Sequence, residues 1–468
     1  MKKYFINVNE EETPKYIIIE RHIKKLIDSN KIEDGEKLPS IRVLAQLLGV
    51  NNITVVNAYK KLENEGHAVQ KMGSGTYAKR KDINRNFKRE YSETLKKISG
   101  NLQEYIDFTG ETPSSSFFPV KLFKDVLNNV LDRDGADALI YQEALGYEGL
   151  RKSISNVFWK NRIRSNDILI VSGAQQGIDI VSKALINTND SVIVEKPTYS
   201  GALSVFKWRR ADIFEVPMGE DGIDIVKLEK ILKKNTIKCF YTMSYFQNPT
   251  AVSYSEEKKI QILKLADIYD FYIIEDDYLS ELIYDESMVY KSFKSLDKND
   301  RVIYIKSFSK IFLPGIRIGY LIPPANFKES IQNSKINTDI STSSLMQRTL
   351  DLYIRKGFWK EYIANIRVLY KNRYIYMEQC LRKHLGDKVD FISPGGGLHF
   401  YMKIKDSLKI NSITLFRLAK EKKVLLTPGI LFYKSPSDGE KYFKLGFSQT
   451  DEEGIEKGIK IINNLMEV

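Results

Sequence analysis

Apolar positions recur along this chain at two different periods, and the change of period divides it. Over residues 14–30, PKYIIIERHIKKLIDSN, helical spacing places Ile17, Ile18, His22, Leu26 and Ile27 near one face, and Pro14 suits a first turn. EDGEKLPS turns the chain. Ser40 then has the side chain to cap a second helix, IRVLAQLLG, with Ile41, Leu44, Ala45 and Leu48 inward and Gly49 closing it. After a very short turn a third helix, VNNITVVNAYKKLENEG, is expected to end at Gly66. Two helices joined so tightly make a helix-turn-helix, whose second member enters a DNA major groove. In AVQKMGSGTYAK two short strands flank Gly73, Ser74 and Gly75, a tight tip able to approach a sugar-phosphate ridge or minor groove, which makes this segment a wing.

The next stretch, KRKDINRNFKREYSETLKKISG, is charged and poor in apolar residues, so it reads as a solvated connector with room for a late helix. From about residue 104 the period shortens. Continuous apolar strands (DILIV, SVIVE, IKCFYTM, FYIIEDD, VIYIKSF) alternate with amphipathic helices, which predicts an α/β domain whose mostly parallel sheet is covered on both faces. Three parts are therefore expected: a winged helix-turn-helix over 1–79, a linker over 80–103 and a large domain over 104–468. Ligands of such sheets bind at the carboxyl ends of the strands, so the polar residues just past each strand are the ones to weigh.

Composition changes this picture in three respects. With 468 residues, 43% of them hydrophobic, the chain can bury more than one core. The net charge of +12 is uneven: residues 1–97 hold 20 Lys and Arg against 13 Asp and Glu, so +7 of it lies in the small amino-terminal part, as a polyanion partner would require. The two cysteines, Cys239 and Cys380, and the four histidines lack metal-ligand spacing, so no metal centre is expected. No 18-residue apolar run exists, and MKKYFINVNEEE turns acidic before a signal sequence could form, so a soluble, cytoplasmic protein is expected.

Three strand ends carry candidate chemistry. After DILIV, Ser172, Gly173, Ala174 and Gln175 open a helix whose free N–H groups make a phosphate seat, although glycine turns into helices are common. After FYIIE come Asp276, Asp277 and Tyr278. A carboxylate at a buried strand end needs a cationic partner, and a protonated pyridine nitrogen would serve; a helix cap or a metal-binding pair is the alternative. After VIYIK come Ser307, Phe308, Ser309 and Lys310, with Arg317 seven residues beyond. Hydroxyls and a guanidinium can hold a phosphate while a deprotonated Lys310, favoured by a partly desolvated electropositive pocket, condenses with an aldehyde.

Residues 38–66 match the pattern LPSxRxLAxxLGVxxxTVxxAYxxLExEG and continue into a GxGT wing, and in this the chain resembles the GntR family of winged-helix regulators. The resemblance implies that Ser40 and Arg42 sit at the DNA phosphate backbone, that Thr54, Asn57 and Lys60 lie on the recognition helix, and that Gly73 and Gly75 form the wing tip. Asn52 stands in the DNA-reading set where the family often has arginine.

Residues 105–468 resemble fold type I pyridoxal phosphate enzymes of the class I aminotransferase group. The cofactor implied is pyridoxal 5'-phosphate. Lys310 would be the Schiff-base lysine, Asp276 the partner of the pyridine nitrogen, and Tyr278 and Asn248 the contacts of the phenolic oxygen. Ala174, Gln175, Ser307 and Arg317 would hold the phosphate, Tyr199 would stack on the ring, and Tyr141 would reach the phosphate of a partner subunit. Two positions depart from that family: Ala251 replaces a favoured glycine, and Lys444 stands where an arginine usually grips the substrate carboxylate.

The fusion is similar to the MocR/GabR subfamily of GntR regulators. That implies a head-to-tail homodimer binding a double-stranded DNA operator, with an aminotransferase-like domain used for sensing pyridoxal phosphate, an amine or an amino acid rather than for turnover, and Lys444 at the effector. The rivals are an active aminotransferase that also binds DNA, and a regulator whose large domain binds no cofactor.

Overall fold

The computed structural model describes residues 2–6, 8, 13–28, 32, 35–71, 74–79, 83–141 and 143–467. They form two compact units, Met1–Gly100 and Asn101–Val468.

In the first unit, α1 (Lys15–Asp28), α2 (Ile41–Leu48) and α3 (Asn52–Asn64) precede two short strands, β1 (Ala68–Lys71) and β2 (Gly75–Ala78). Leu44, Ala45 and Leu48 of α2 and Val55, Ala58, Tyr59 and Leu62 of α3 close on the inner face of α1. Each such aliphatic side chain contributes roughly 1.5–3 kcal/mol by leaving water. The inner face of α1 is Ile18, Ile19, Ile23, Leu26 and Ile27, rotated from the expected one: Ile17 and His22 are half-buried, and the His22 ring pairs with the Lys3 carbonyl at 3.0 Å. Three successive isoleucines leave the phase of a helix open, and packing decides it.

The turn between α2 and α3 is written in its residues. Gly49 ends α2 at φ 61°, a left-handed conformation that suits glycine, and Asn51 Oδ1 accepts from the Ile53 N–H at 3.0 Å to start α3. β1 and β2 pair antiparallel from Ala68 with Ala78 to Lys71 with Gly75. Gly73 lies outside the described residues. A fourth helix, α4 (Ile83–Ile98), occupies the segment expected to be a solvated run. Phe87 and Tyr91, one turn apart, are buried on it with ring centroids 6.2 Å apart.

The second unit holds an eight-stranded sheet made of β3 (Leu169–Val171), β4 (Ser191–Lys196), β5 (Asp212–Gly219), β6 (Gly222–Ile223), β7 (Ile237–Thr242), β8 (Tyr272–Asp277), β9 (Val302–Ser307) and β10 (Gly319–Ile322). Their order across the sheet is β3-β10-β9-β8-β7-β4-β5-β6. The run β9-β8-β7-β4-β5 is parallel throughout, while β10 runs antiparallel between β9 and β3 and the edge strand β6 antiparallel to β5. Successive strand residues point to opposite faces, and every residue of β9 is buried, so the sheet is covered on both sides. A smaller antiparallel sheet of Val389–Phe391, His399–Ile404, Tyr442–Gly446 and Thr427–Pro428 completes the unit, with Lys444 on an inner strand. The expected winged helix-turn-helix and α/β domain with a mostly parallel sheet are both present. Among the described residues no helix is long and apolar enough to cross a membrane.

Candidate cofactor pocket and DNA-reading helix

The parallel strands end at one pocket of about 280 Å³. Its walls bring together Ala174, Gln175, Tyr199, Asn248, Asp276, Tyr278, Ser307, Lys310 and Arg317, which lie far apart in sequence, with Thr112, Met243, Ser309 and Pro314 beside them. Tyr141 is not among them: it is 75% exposed.

Lys310 is set in place by aromatic packing. Strand β9 delivers Phe308 into a cage of Phe158, Tyr320 and Trp359, at ring separations of 5.5, 5.8 and 5.2 Å, and the next turn presents Ser309 and Lys310 to the pocket. The other lysine of the VIYIKSFSK stretch is committed elsewhere. Lys306 is buried and ion-paired with Asp277 at 3.0 Å and Glu281 at 2.8 Å. Asp277 also accepts from Tyr290 and Tyr304, so the second carboxylate of the Asp276-Asp277 pair has a structural partner set, and Asp276 alone faces the pocket.

Asp276 Oδ2 accepts from the Tyr241 hydroxyl at 2.7 Å, whereas its buried Oδ1 has no hydrogen-bond partner among the described residues. Burial, against the Tyr241 hydrogen bond and helped by the Asp277 charge, pushes its carboxyl up to about 6. A buried, half-satisfied carboxylate is costly unless a cation meets it, which fits a protonated ring nitrogen.

The anion seat is equally concrete. Gly173, at φ 91°, precedes a helix over Ala174–Leu185, and a Cβ on it would lie 3.1 Å from the Arg317 guanidinium. Arg317 Nη2 donates to the Ser172 carbonyl at 2.7 Å, which aims the guanidinium across the helix N-terminus. Ser309 Oγ, buried and without a partner among the described residues, is the free hydroxyl beside it. These groups fit a phosphate-bearing pyridine aldehyde: a lysine amine for the aldehyde, a lone carboxylate oxygen for the ring nitrogen, and a helix N-terminus with guanidinium for the phosphate. The Tyr278 hydroxyl donates to the Phe246 carbonyl at 2.6 Å, so its proton is spent within the chain, and its oxygen faces any ligand as an acceptor.

Glu111 was not foreseen. Its Oε2 lies 2.8 Å from Lys310 Nζ, and its Oε1 accepts from Asn248 Nδ2 at 3.1 Å and from Lys444 Nζ. Lys444 also donates to Asn248 Oδ1 at 3.2 Å. Desolvation would raise the Glu111 carboxyl, but Lys310 and Lys444 hold it well below the usual carboxylate range. Desolvation presses Lys310 toward neutrality, but Glu111 outweighs it and leaves the amine above the ordinary lysine value. The surroundings of Lys310 therefore favour its charged form rather than the neutral amine expected from sequence. Lys444, 1% exposed, is shifted down by burial, with Glu111 opposing.

Ala251, where glycine is favoured, adopts φ 60° and donates its N–H to the Gln247 carbonyl at 2.6 Å. The left-handed conformation costs an L-residue about 1–2 kcal/mol, and burying the methyl returns roughly 0.8 kcal/mol, which is why alanine is tolerated there.

In the first unit Arg42, Asn52, Asn57 and Lys60 are exposed, Thr54 is half-buried, and Gly75 is exposed at φ 118°. Ser40 Oγ accepts from the Val43 N–H at 3.4 Å as the cap of α2. One further residue stands out on α3: Ile53, 66% exposed near its start, an apolar group of the kind that meets a thymine methyl.

A pH-dependent test arises from Asp276. Its folded carboxyl is raised above the unfolded value near 3.9, so ionising it destabilises the fold as pH rises from about 4 to 6, and the full penalty stands above that window. Asp276→Asn removes the penalty. The cofactor-free variant should resist urea better than wild type at pH 7.5, by on the order of 2–3 kcal/mol, with no advantage near pH 4. Equal gains at both pH values would refute the assignment of a strained carboxylate.

Comparison with known proteins agrees with both halves. Residues 114–462 match the family of aminotransferases of class I and II, and residues 15–78 match the gntR family of bacterial regulatory proteins. The aromatic-amino-acid aminotransferase 1 of Thermococcus litoralis is 31% identical over 79% of this chain and 89% of its own length. The uncharacterized HTH-type transcriptional regulator YcxD of Bacillus subtilis is 29% identical over 96% of this chain and 99% of its own. Among solved structures, the Pyrococcus horikoshii kynurenine aminotransferase, a complex with PMP and kynurenine, superimposes with a TM-score of 0.76 at 31% identity, over 81% of this chain and 94% of that one. The α-aminoadipate aminotransferase LysN of Thermus thermophilus, complexed with N-(5'-phosphopyridoxyl)-L-leucine, gives 0.73 at 27% identity over 81% and 98%.

Proposed function

From a chain that belongs to the class I and II aminotransferase family and carries a gntR-family DNA-binding domain, we propose a transcriptional regulator that holds pyridoxal 5'-phosphate and uses it to sense. The observation that carries this reading is the meeting of Lys310, the unpartnered Asp276 Oδ1 and the Arg317 anion seat in one pocket. Residues 1–79 read DNA, residues 80–103 connect, and residues 104–468 hold the cofactor.

Pyridoxal phosphate supplies an aldehyde that condenses reversibly with amines, on a ring that draws electrons when its nitrogen is protonated. The chain's own groups do the rest. Lys310 offers the amine, and Glu111 is the carboxylate that pairs with its charged form at Nζ. Asp276 holds a proton on the ring nitrogen through Oδ1, Tyr199 covers the ring face, and Asn248 and Tyr278 stand at the phenolic side. Ala174, Gln175, Ser307, Ser309 and Arg317 hold the phosphate. Lys444, beyond Lys310, marks the end at which an amine or amino-acid effector sits. Tyr141, exposed in the single chain, reaches the phosphate of a partner in a head-to-tail homodimer.

Ser40 and Arg42 meet phosphates, Asn52, Thr54, Asn57 and Lys60 line the groove, and the wing with Gly73 and Gly75 lies alongside. The operator is double-stranded DNA, so the protein works in the cytoplasm. Cofactor or effector acts by favouring one of two domain arrangements for which it has the greater affinity.

The experiment is addition of pyridoxal phosphate to the purified chain, then removal of the excess and absorbance. A retained visible band is expected, and repeated transamination of amino acids is not. An ultraviolet-only spectrum would contradict cofactor binding; sustained turnover with several amino acids would make the chain an active enzyme.

A further inference from the structure

We propose that Glu111 fills the seat that the carboxylate of an α-amino acid would need, so that the pocket admits primary amines lacking a carboxylate on the amino-bearing carbon. The inference rests on the reading that Lys310 carries the cofactor.

The geometry is specific. A ligand that exchanges onto the cofactor must put its nitrogen where Lys310 Nζ was. In an α-amino acid the carboxylate carbon lies two bonds from that nitrogen, on the order of 2.5 Å away. Its nearer carboxylate oxygen lies on the order of 2.7 Å from that nitrogen, and a carboxylate oxygen already stands there: Glu111 Oε2 is 2.8 Å from Lys310 Nζ. The donors that would receive an incoming carboxylate already face one, because Asn248 Nδ2 and Lys444 Nζ both donate to Glu111 Oε1. Lys444 and Asn248 are 1% and 2% exposed, so a second anion at them would be desolvated beside the Glu111 charge.

Glu111 is held there by its backbone. The Gly446 N–H donates to the Phe108 carbonyl at 2.7 Å, and Gln449 Nε2 donates to the Thr112 carbonyl at 2.7 Å. Gly446 has no room for a side chain, since a Cβ there would lie 2.3 Å from the Gly110 carbonyl oxygen. The segment bearing Glu111 is thus fixed against the strand that bears Lys444.

The charges close on this assignment. Once the Lys310 amine is used in the linkage, Glu111 keeps Lys444 as its counterion and the pair is neutral. An α-amino acid would add an anion against Glu111, whereas a simple amine adds none. In the exchange, the carbon–nitrogen linkage to Lys310 breaks and one to the ligand nitrogen forms. The ligand ammonium gives up two protons and Lys310 takes up two. Lys310 leaves as an ammonium ion and recovers the Glu111 ion pair seen in the free chain.

The test uses the full chain loaded with pyridoxal phosphate and freed of excess, in wild-type, Glu111→Ala and Glu111→Gln forms. Each is titrated with L-alanine and ethylamine, L-leucine and 3-methylbutylamine, and L-phenylalanine and 2-phenylethylamine, read by the shift of the visible band and by DNA mobility. In wild type at least one amine should act at a concentration a hundred-fold or more below its amino acid. Both variants should narrow that ratio to within ten-fold, because Lys444 and Asn248 become free for the ligand carboxylate. Equal responses of wild type to amine and amino acid, silence toward every amine, or an unchanged ratio in both variants would overturn the proposal. A visible band in each variant before titration certifies a folded pocket. If one variant lacks it the other decides, and if both lack it while wild type has it, Glu111 is needed to build the pocket and the proposal is overturned. Absence of the band in wild type would instead overturn the reading on which the proposal rests.

Discussion

Replacing Lys310 with alanine is expected to abolish the visible band that pyridoxal phosphate gives with the wild-type chain, while leaving the fold intact. The loss should be complete, because the two other buried amines nearby are committed: Lys306 is locked between Asp277 and Glu281 on strand β9, and Lys444 is held by Glu111 and Asn248. The fold should survive because Lys310 is half-buried and Glu111 retains Lys444 and Asn248 when it is gone. Borohydride reduction and peptide mapping should find the cofactor on residue 310 in wild type and on no residue in the variant. Labelling of another lysine in the variant, with the band retained, would displace Lys310 as the anchor.

The second large effect concerns DNA. Arg42→Ala should weaken binding to all duplexes alike and reduce the slope of log affinity against log salt by about 1, as loss of one phosphate contact does. Asn57→Ala should instead cost about 1–3 kcal/mol on the preferred duplex, roughly 5- to 150-fold, and leave binding to random DNA unchanged. Both residues are exposed, so neither change should disturb the core built on Leu44, Val55 and Leu62. Parallel losses on preferred and random duplexes for the two variants would mean that Arg42 and Asn57 do not divide backbone and base contacts between them.

Much of the architecture was legible because it is carried by local rules. The Ser40 cap, the left-handed Gly49 and the continuous apolar strands each declare an element within a few residues. Lys310, Asp276 and Arg317 were legible because parallel strands deliver the residues at their carboxyl ends to a common edge, so position after a strand stands in for position in space. Glu111 was not legible on those terms. It comes after no strand of the main sheet, and its partner Lys310 lies 199 residues away; only the fold closes that distance. The division of labour within the Asp276-Asp277 pair was hidden for a related reason, since it is settled by Lys306, Tyr290 and Tyr304. Helix α4 was underestimated because two aromatics four apart, Phe87 and Tyr91, are a weak apolar signal within a charged run.

The central claim is that the cofactor pocket reports to the DNA-reading helix, and a DNA mobility titration tests it most directly. The duplex should be one that the full chain selects from a random pool, and affinity should be measured with and without saturating pyridoxal phosphate, for wild type and Lys310→Ala. A coupling of about 1–3 kcal/mol, a change of roughly 5- to 150-fold in wild type, is expected, with none in the variant. Wild-type protein that takes up the cofactor and shows its visible band, yet binds the duplex with the same affinity in both states, would contradict the account.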